Sequence, residues 1–182
     1  MEIVRPITDT NKIKQIEQIL KSNNLRNYIM FELGIYSGLR ISDILKLKVK
    51  DVRDKTHFIL RETKTGKHQT IKIHAKLKEE LDQYTIKMND DEYLIQSQKG
   101  YNKPINRTSA WEILNKVAQQ VGIRDQIGTH SLRKTYGYHH YKQFKDVATL
   151  QNIFNHSSPS ITLRYIGITQ EHIDEMMDNF SY

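Results

Sequence analysis

The chain has 182 residues, a mass of 21.5 kDa and a formal charge of +7, with 28 Lys and Arg against 21 Asp and Glu. This length supports one domain with a sizeable core, and the absence of cysteine excludes a disulfide framework and thiolate chemistry. The N-terminus has no apolar signal region and no apolar run approaches the roughly 18 residues of a membrane span, so a cytoplasmic protein without a membrane partner is expected.

The first part of the chain predicts helices. Residues 9–22 carry an apolar stripe at helical spacing, made of Ile13, Ile16, Ile19 and Leu20. The more apolar segment "LRNYIMFELGIYSGL" predicts a buried helix that ends near Gly38. A shorter helix that runs into a turn is predicted for "ISDILKLKVKDV".

A change of period predicts a β-hairpin in "HFILRETKTGKHQTIKIH". Two β-favouring runs flank Thr65 and Gly66, and Ile71 and Ile73 alternate with polar residues. A turn in the middle of such a segment is typical of two antiparallel strands.

The second half returns mainly to helical patterns. "KLKEELDQYTIKM" predicts a helix, "EYLIQS" a short strand, and Asn106 the N-cap of a further helix. Ser158 and Pro159 are suited to the first positions of a helix over "PSITLRYI". The other predicted helices cover "HSLRKTYG", "DVATLQNIFN" and "TQEHIDEMMDNF". The predicted fold is therefore α+β, mainly α-helical, with a small antiparallel β-sheet, in a single domain over residues 1–182.

The stretch "GTHSLRKTYGYHHY" indicates an anion-binding site. His130 and Arg133 are three residues apart, so they lie on one face of the first turn of a helix for which Thr129 is the predicted N-cap. Free backbone N–H groups and the positive end of the helix dipole point outward at the same place. Because a basic pair there is electrostatically unfavourable alone, an anion is expected between the two side chains.

Four other residues have side chains suited to phosphate chemistry. Arg40 lies in "YSGLRISDILKL", Lys64 in "ETKTGK", and His156 in "FNHSSPS", nine residues before Tyr165. Taken singly, each residue is more often an ordinary surface, turn or capping residue than a functional one. The basic charge of the chain favours a phosphate-bearing partner but does not identify it.

His139 and His140 are the only adjacent histidines. No cysteine and no convincing acidic partner stands at metal-ligand spacing, so we expect neither a metal nor another cofactor.

Together, the two arginines, the lysine, the two histidines and the tyrosine suit metal-free attack on a phosphodiester. Two guanidinium groups can bind the non-bridging oxygens and neutralise the charge of a pentacoordinate transition state. A tyrosine hydroxyl becomes a nucleophile when a neighbouring base or positive field helps to remove its proton. A general acid must then protonate the leaving 5′-oxygen, and Lys64 is the expected donor.

The chain resembles the catalytic domain of the tyrosine recombinase (phage integrase) family. Its matching motifs, in order, are "SGLRISDILKLKVKDV", "TKTGK", "HSLRKTYG" and "NHSSPSITLRYIG". Two departures concern single residues: Asn155 stands where the family usually has glycine, and Lys67 is an alternative to Lys64 as the hairpin lysine. Asp43, the acidic residue of the first motif, is expected to steady the helix behind Arg40 and to have no chemical role.

The resemblance implies the tyrosine recombinase catalytic-domain fold and cleavage through a 3′-phosphotyrosine, after which the freed 5′-hydroxyl attacks the partner strand. Neither ATP nor a metal is needed, because the phosphotyrosine conserves the energy of the broken bond. The implied catalytic residues are Arg40, Lys64, His130, Arg133, His156 and the nucleophile Tyr165.

The resemblance also implies double-stranded DNA as a partner and a homotetramer on DNA, joined through the C-terminal tail. This tail carries Ile173, Met176, Met177 and Phe180, and packing on its own domain is the alternative. Only residues 1–22 precede the matched domain, so the N-terminal core-binding domain of most relatives is expected to be absent. The chain is then either a fragment or a short family member.

Two other functions remain open from the sequence. A non-cleaving DNA-binding regulator on a recombinase fold would explain the basic charge, and a type IB-like topoisomerase would use much the same catalytic residues. Strand exchange between two DNA sites distinguishes a recombinase from both.

Overall fold

The computed structural model describes residues 4–61, 66, 68–125, 127–128, 130–168, 174 and 177–181. In chain order the elements of this part are α1 (Thr10–Asn23), α2 (Leu25–Ser37), α3 (Ile41–Ile44), α4 (Val49–Val52), β1 (His57–Arg61), β2 (His68–Lys72), α5 (Ala75–Thr85), α6 (Arg107–Gln120), α7 (Ser131–Phe144), α8 (Val147–Phe154) and α9 (Pro159–Ile166). The predicted α+β class, mainly helical with a small antiparallel sheet, is confirmed.

Helix α2 forms the centre of the main core. Its residues 28–34 are all buried, and α1, α5 and α7 pack around it. A Cβ atom at Gly34 would lie 2.4 Å from Cδ1 of Leu132, so the backbone of α2 approaches α7 as closely as only glycine permits. This contact places Arg133, the residue after Leu132, beside the C-terminal end of α2.

The end of α2 depends on a glycine. Gly38 has a left-handed backbone conformation with φ +63°, and a Cβ atom there would lie 2.5 Å from Cδ1 of Tyr136. The predicted end of this helix near Gly38 is confirmed. The chain then turns sharply, which brings Arg40 into position only two residues later.

Two predicted elements differ from the structure. "ISDILKLKVKDV" forms two short helices, α3 and α4, instead of one. "EYLIQS" is not a strand, because its backbone pairs briefly with two different neighbours, at the single bridges Lys48–Tyr93 and Gln96–Pro104. A ladder on one neighbour would be needed for a strand.

The hairpin strands pair antiparallel, with Phe58 opposite Ile71 and both side chains buried. Gln69 of β2 donates from Nε2 to the carbonyl oxygen of Ile153, at 3.0 Å, and so attaches the hairpin to α8. Lys64 and its alternative Lys67 lie outside the described residues, so the predicted position of the hairpin lysine is not tested.

A second, smaller core lies where α7, α8 and α9 meet. Leu150, Phe154, Ile166 and Ile168 are buried in it, and Tyr165 is partly buried against them. The helix predicted for the tail falls mostly outside the described residues, while Met177 and Phe180 are 70% and 73% exposed. In the described part of the chain, every helix is too short or too polar to cross a bilayer.

Candidate active site

Arg133 is the structural centre of the candidate site. Its side chain is 2% exposed and donates from Nη1 to the carbonyl oxygen of Gly38, at 2.7 Å, and from Nη2 to that of Phe154, at 3.1 Å. The guanidinium carbon lies 4.4 Å from the centre of the Phe154 ring. These contacts fix the direction of the guanidinium plane before any ligand arrives.

The two carbonyl groups that Arg133 binds are each two residues before another site residue. Gly38 precedes Arg40, and Phe154 precedes His156. One buried side chain therefore fixes the spacing of three predicted site residues that are far apart in the sequence.

Arg40 lies at the N-cap position of α3, and the charge of its half-buried side chain acts on both His130 and Tyr165. Its carbonyl oxygen accepts hydrogen bonds from the N–H groups of Asp43 and Ile44, at 2.9 and 3.1 Å. The side chain of Asp43 is buried in the same short helix, a position consistent with the steadying role expected for it.

His130 precedes the first residue of α7, and its side chain makes no capping hydrogen bond. The N-cap position of α7 is His130 and not the predicted Thr129, which lies outside the described residues. Neighbouring protein atoms that exclude water lower the pKa of the His130 imidazole, and the positive charges of Arg107 and Arg133 lower it further. A neutral ring that can accept a proton is therefore favoured near neutral pH.

His156 follows the end of α8 and is oriented by α9. Its Nδ1 atom lies 3.0 Å from Oγ1 of Thr162, a fully buried residue of α9. Asn155, where the family usually has glycine, has φ +53°. Because asparagine tolerates this left-handed conformation better than most residues, the tight turn before His156 is retained.

Tyr165 lies on α9 with its ring edge-on to two neighbours. The ring centroids of Phe154 and His156 are 5.6 and 5.1 Å away. Burial raises the pKa of the Tyr165 hydroxyl, while the positive charges of Arg133 and Arg40 and a hydrogen bond with Arg133 oppose that rise. The hydroxyl therefore lies beside Arg133 and in the electrostatic field of Arg40, within one subunit.

Two basic residues of this region were missed from the sequence. Lys134 lies with its ammonium group 5.1 Å from the centre of the Tyr165 ring; its spacing of four from His130 on one helix was an available signal. Arg107, at the start of α6, lowers the pKa of His130 more than Arg133 or Arg40 does. Nothing in its local sequence indicated that position.

The adjacent histidines of α7 have packing contacts. His139 Nε2 lies 2.9 Å from the carbonyl oxygen of Ile7, and the His140 ring lies tilted against Tyr136 and Phe144, with centroids 5.6 and 4.8 Å away. Within the described residues, no three His, Cys, Asp or Glu side chains are grouped as metal ligands.

The described site therefore combines two arginines, two histidines and a tyrosine hydroxyl around one small region, next to the N-terminal end of α7. Cationic donors that are fixed in advance suit a group whose negative charge increases during reaction. The tyrosine oxygen is the group of this set whose chemistry suits a nucleophile.

Known proteins resemble this chain in sequence. The model of the "Phage integrase family" matches residues 7–172. The "Probable integrase/recombinase YoeC" of Bacillus subtilis (strain 168) is 50% identical over 171 residues, which cover 94% of this chain and 93% of that protein. "Tyrosine recombinase XerA" of Pyrococcus furiosus is 26% identical, and the match covers 92% of this chain but only 59% of that longer protein.

Solved structures have the same fold. The crystal structure of XerA recombinase gives a TM-score of 0.79 at 19% identity and covers 100% of this chain and 68% of that one. The crystal structure of a lambda integrase tetramer bound to a Holliday junction gives a TM-score of 0.72 at 20% identity. That match covers 91% of this chain and 49% of the lambda integrase chain.

Proposed function

This chain belongs to the phage integrase family, so it is a site-specific recombinase of the tyrosine type, and we propose that it cleaves and rejoins DNA strands through a 3′-phosphotyrosine formed on Tyr165. The position of the Tyr165 hydroxyl, hydrogen-bonded with Arg133 and in the electrostatic field of Arg40 within one subunit, supports this proposal most directly. The relative YoeC, matched over nearly its whole length, is named a probable integrase/recombinase.

In the proposed cleavage step, Oη of Tyr165 attacks the scissile phosphorus in line with the leaving 5′-oxygen. Arg40, Arg133 and His156 donate hydrogen bonds to the non-bridging oxygens and balance the charge of the transition state. The bond between phosphorus and the 5′-oxygen breaks as the bond to Oη forms. Lys64 protonates the 5′-oxygen, and the reverse sequence on a second strand completes the exchange.

The proton of Tyr165 needs an acceptor, and we assign that role to His130. The lowered pKa of His130 favours its neutral form, which can accept a proton near pH 7. Because burial raises the pKa of Tyr165, the hydroxyl remains protonated in the free protein. Attack therefore waits until DNA phosphate binds and the proton can move to His130.

The non-cleaving regulator and the topoisomerase are not favoured. A regulator has no need for a tyrosine hydroxyl in the electrostatic field of two arginines, and the relatives that match most of this chain are named integrases and recombinases. Strand exchange is the activity that those names share.

The test of this function is covalent capture on DNA. Purified protein is incubated with fragmented host or element DNA, the attached fragments are isolated under denaturing conditions, and their ends are sequenced. We expect 3′-linked ends that converge on one site, and strand exchange between two copies of that site. A folded protein that binds these fragments without ever becoming attached would contradict the proposal.

For its partners we propose double-stranded DNA and a homotetramer on that DNA, acting in the cytoplasm, where the DNA substrate is accessible. The tetrameric arrangement of a lambda integrase on a Holliday junction supports the oligomer. The exposed side chains of Met177 and Phe180 make the C-terminal tail the proposed contact between subunits.

Removing the tail tests this contact. The deletion should begin after Ile168, because Ile168 is buried in the second core. For a protein lacking residues 169–182 we expect an unchanged unfolding transition and DNA binding, but loss of the higher-order complex in native gels and analytical ultracentrifugation. A Met177→Ser/Phe180→Ser variant is the milder control, and full assembly by both proteins would refute the contact.

A further inference from the structure

The geometry points to a positioning role for Lys134, which is held by the N-terminal segment of the chain and orients the ring of Tyr165. We name residues 4–7 the N-terminal strap. This inference rests on the proposed function in taking Tyr165 as the nucleophile, and it assigns to Lys134 and the strap a task that the four sequence motifs do not include.

The strap lies along α7 through a series of hydrogen bonds. The N–H of Ile7 donates to Oγ1 of Thr135, at 2.9 Å, and the carbonyl oxygen of Ile7 lies 2.9 Å from Nε2 of His139. At the other end, Nζ of Lys134 donates to the carbonyl oxygen of Val4, at 2.7 Å. Both ends of the strap are thus fixed to the helix that carries Arg133.

The strap also touches the segments on either side of the site. A Cβ atom at Gly128, two residues before His130, would lie 2.6 Å from Cγ2 of Val4. A Cβ atom at Gly167, two residues after Tyr165, would lie 3.6 Å from the ring of Pro6. The strap therefore spans from the turn that precedes His130 to the end of the helix that carries the nucleophile.

Lys134 is the link between the strap and Tyr165. The same ammonium group that donates to Val4 lies 5.1 Å from the centre of the Tyr165 ring, within the range of a cation–π interaction. Lys134 is partly buried, and loss of water lowers its pKa. With one proton directed to a fixed carbonyl group, the ammonium has little freedom to leave the ring.

A cation over the ring has a chemical as well as a geometric effect. When the hydroxyl loses its proton, part of the negative charge spreads into the ring, and a fixed positive charge near the ring face stabilises it. We assign Lys134 no contact with the reacting phosphate. It is therefore a positioning residue that also favours the phenolate.

The test compares Lys134→Met with Lys134→Arg and with Lys142→Met. Lys142 is exposed two turns further along α7 and provides the same loss of charge. On saturating nicked DNA, we expect Lys134→Met to form the covalent complex about tenfold more slowly, with unchanged Kd. Lys134→Arg should restore the rate, and Lys142→Met should match the original protein.

A second variant displaces the strap without removing a charge. Gly128→Ala places a methyl group against Val4, and we expect it to slow covalent attachment in the same way. When Gly128→Ala is combined with Lys134→Met, the rate of covalent attachment should fall little further, because both changes remove the same contact between Lys134 and the strap. Fully additive effects would overturn the link between strap and lysine.

The readout that does not depend on cleavage is the titration of Tyr165 in the free protein. Proteins with 13C-labelled tyrosine rings, assigned with Tyr165→Phe, should show a higher titration midpoint for Tyr165 in Lys134→Met. If the recombinase proposal is wrong, no variant becomes attached to DNA, but the titration midpoint of Tyr165 is still higher in Lys134→Met. An unshifted midpoint, or a slow rate that Lys134→Arg does not restore, would overturn the role of Lys134.

Discussion

Replacing Tyr165 with phenylalanine is expected to abolish the covalent protein–DNA complex on nicked suicide substrates while leaving DNA binding and the fold largely intact. The ring contacts with Phe154 and His156 remain, because only the hydroxyl oxygen is removed. The lost hydrogen bond to Arg133 should reduce the free energy of unfolding by only about 1 kcal/mol. Denaturing gels report the covalent complex, and mobility shifts report binding.

Tyr141→Phe is the matched control for this change. Tyr141 is a partly buried tyrosine of the same second core, so the substitution removes the same atom from another ring of that core. We expect a normal yield of covalent complex from it. Attachment by the Tyr165→Phe protein would assign the nucleophile to another side chain.

Arg133→Lys is expected to reduce cleavage and stability together. Loss of one fixed transition-state donor typically costs about 2.7–4 kcal/mol, or roughly a 100- to 1,000-fold lower rate. A lysine has no planar fork and cannot reach both the Gly38 and the Phe154 carbonyl groups. Each buried acceptor left without a donor should lower the free energy of unfolding by roughly 1–3 kcal/mol.

Urea unfolding and single-turnover cleavage measure the two losses separately. Arg124→Lys, at an exposed position, is the control and should change neither quantity. If Arg133→Lys cleaved at the original rate, Arg133 would not be a transition-state donor. If it cleaved slowly with normal stability, the hydrogen bonds of Arg133 to the Gly38 and Phe154 carbonyl groups would not contribute to the free energy of unfolding.

The elements with strong local signals were predicted well from sequence. Helix α1 begins after Asp9, α6 after Asn106 and α9 after Ser158, and in each case the side chain of the preceding residue accepts a backbone hydrogen bond at the start of the helix. Five of the six residues proposed for the site lie in the described part of the chain, and each was selected from a local motif even though the motifs are far apart.

What the sequence did not predict depends on contacts between distant segments. The strand predicted at "EYLIQS" does not form, because its residues pair with two different segments and not with one continuous neighbour. Arg133 was predicted as a phosphate ligand, but its bonds to Gly38 and Phe154 arise only after α2, α7 and α8 have packed. The contact of Lys134 with Val4 joins residues 130 positions apart, for which a local pattern carries no signal.

The bonds of Arg133 to two backbone carbonyl groups also restrict how activity can be lost during evolution. A descendant that stopped cutting but still bound its DNA sites would lose little stability if Tyr165 were replaced. Replacement of Arg133 would destabilise the contact between α2, α7 and α8. In inactive descendants of this chain, we therefore expect Arg133 to be retained where Tyr165 has been replaced. The presence of this arginine alone then does not indicate catalysis.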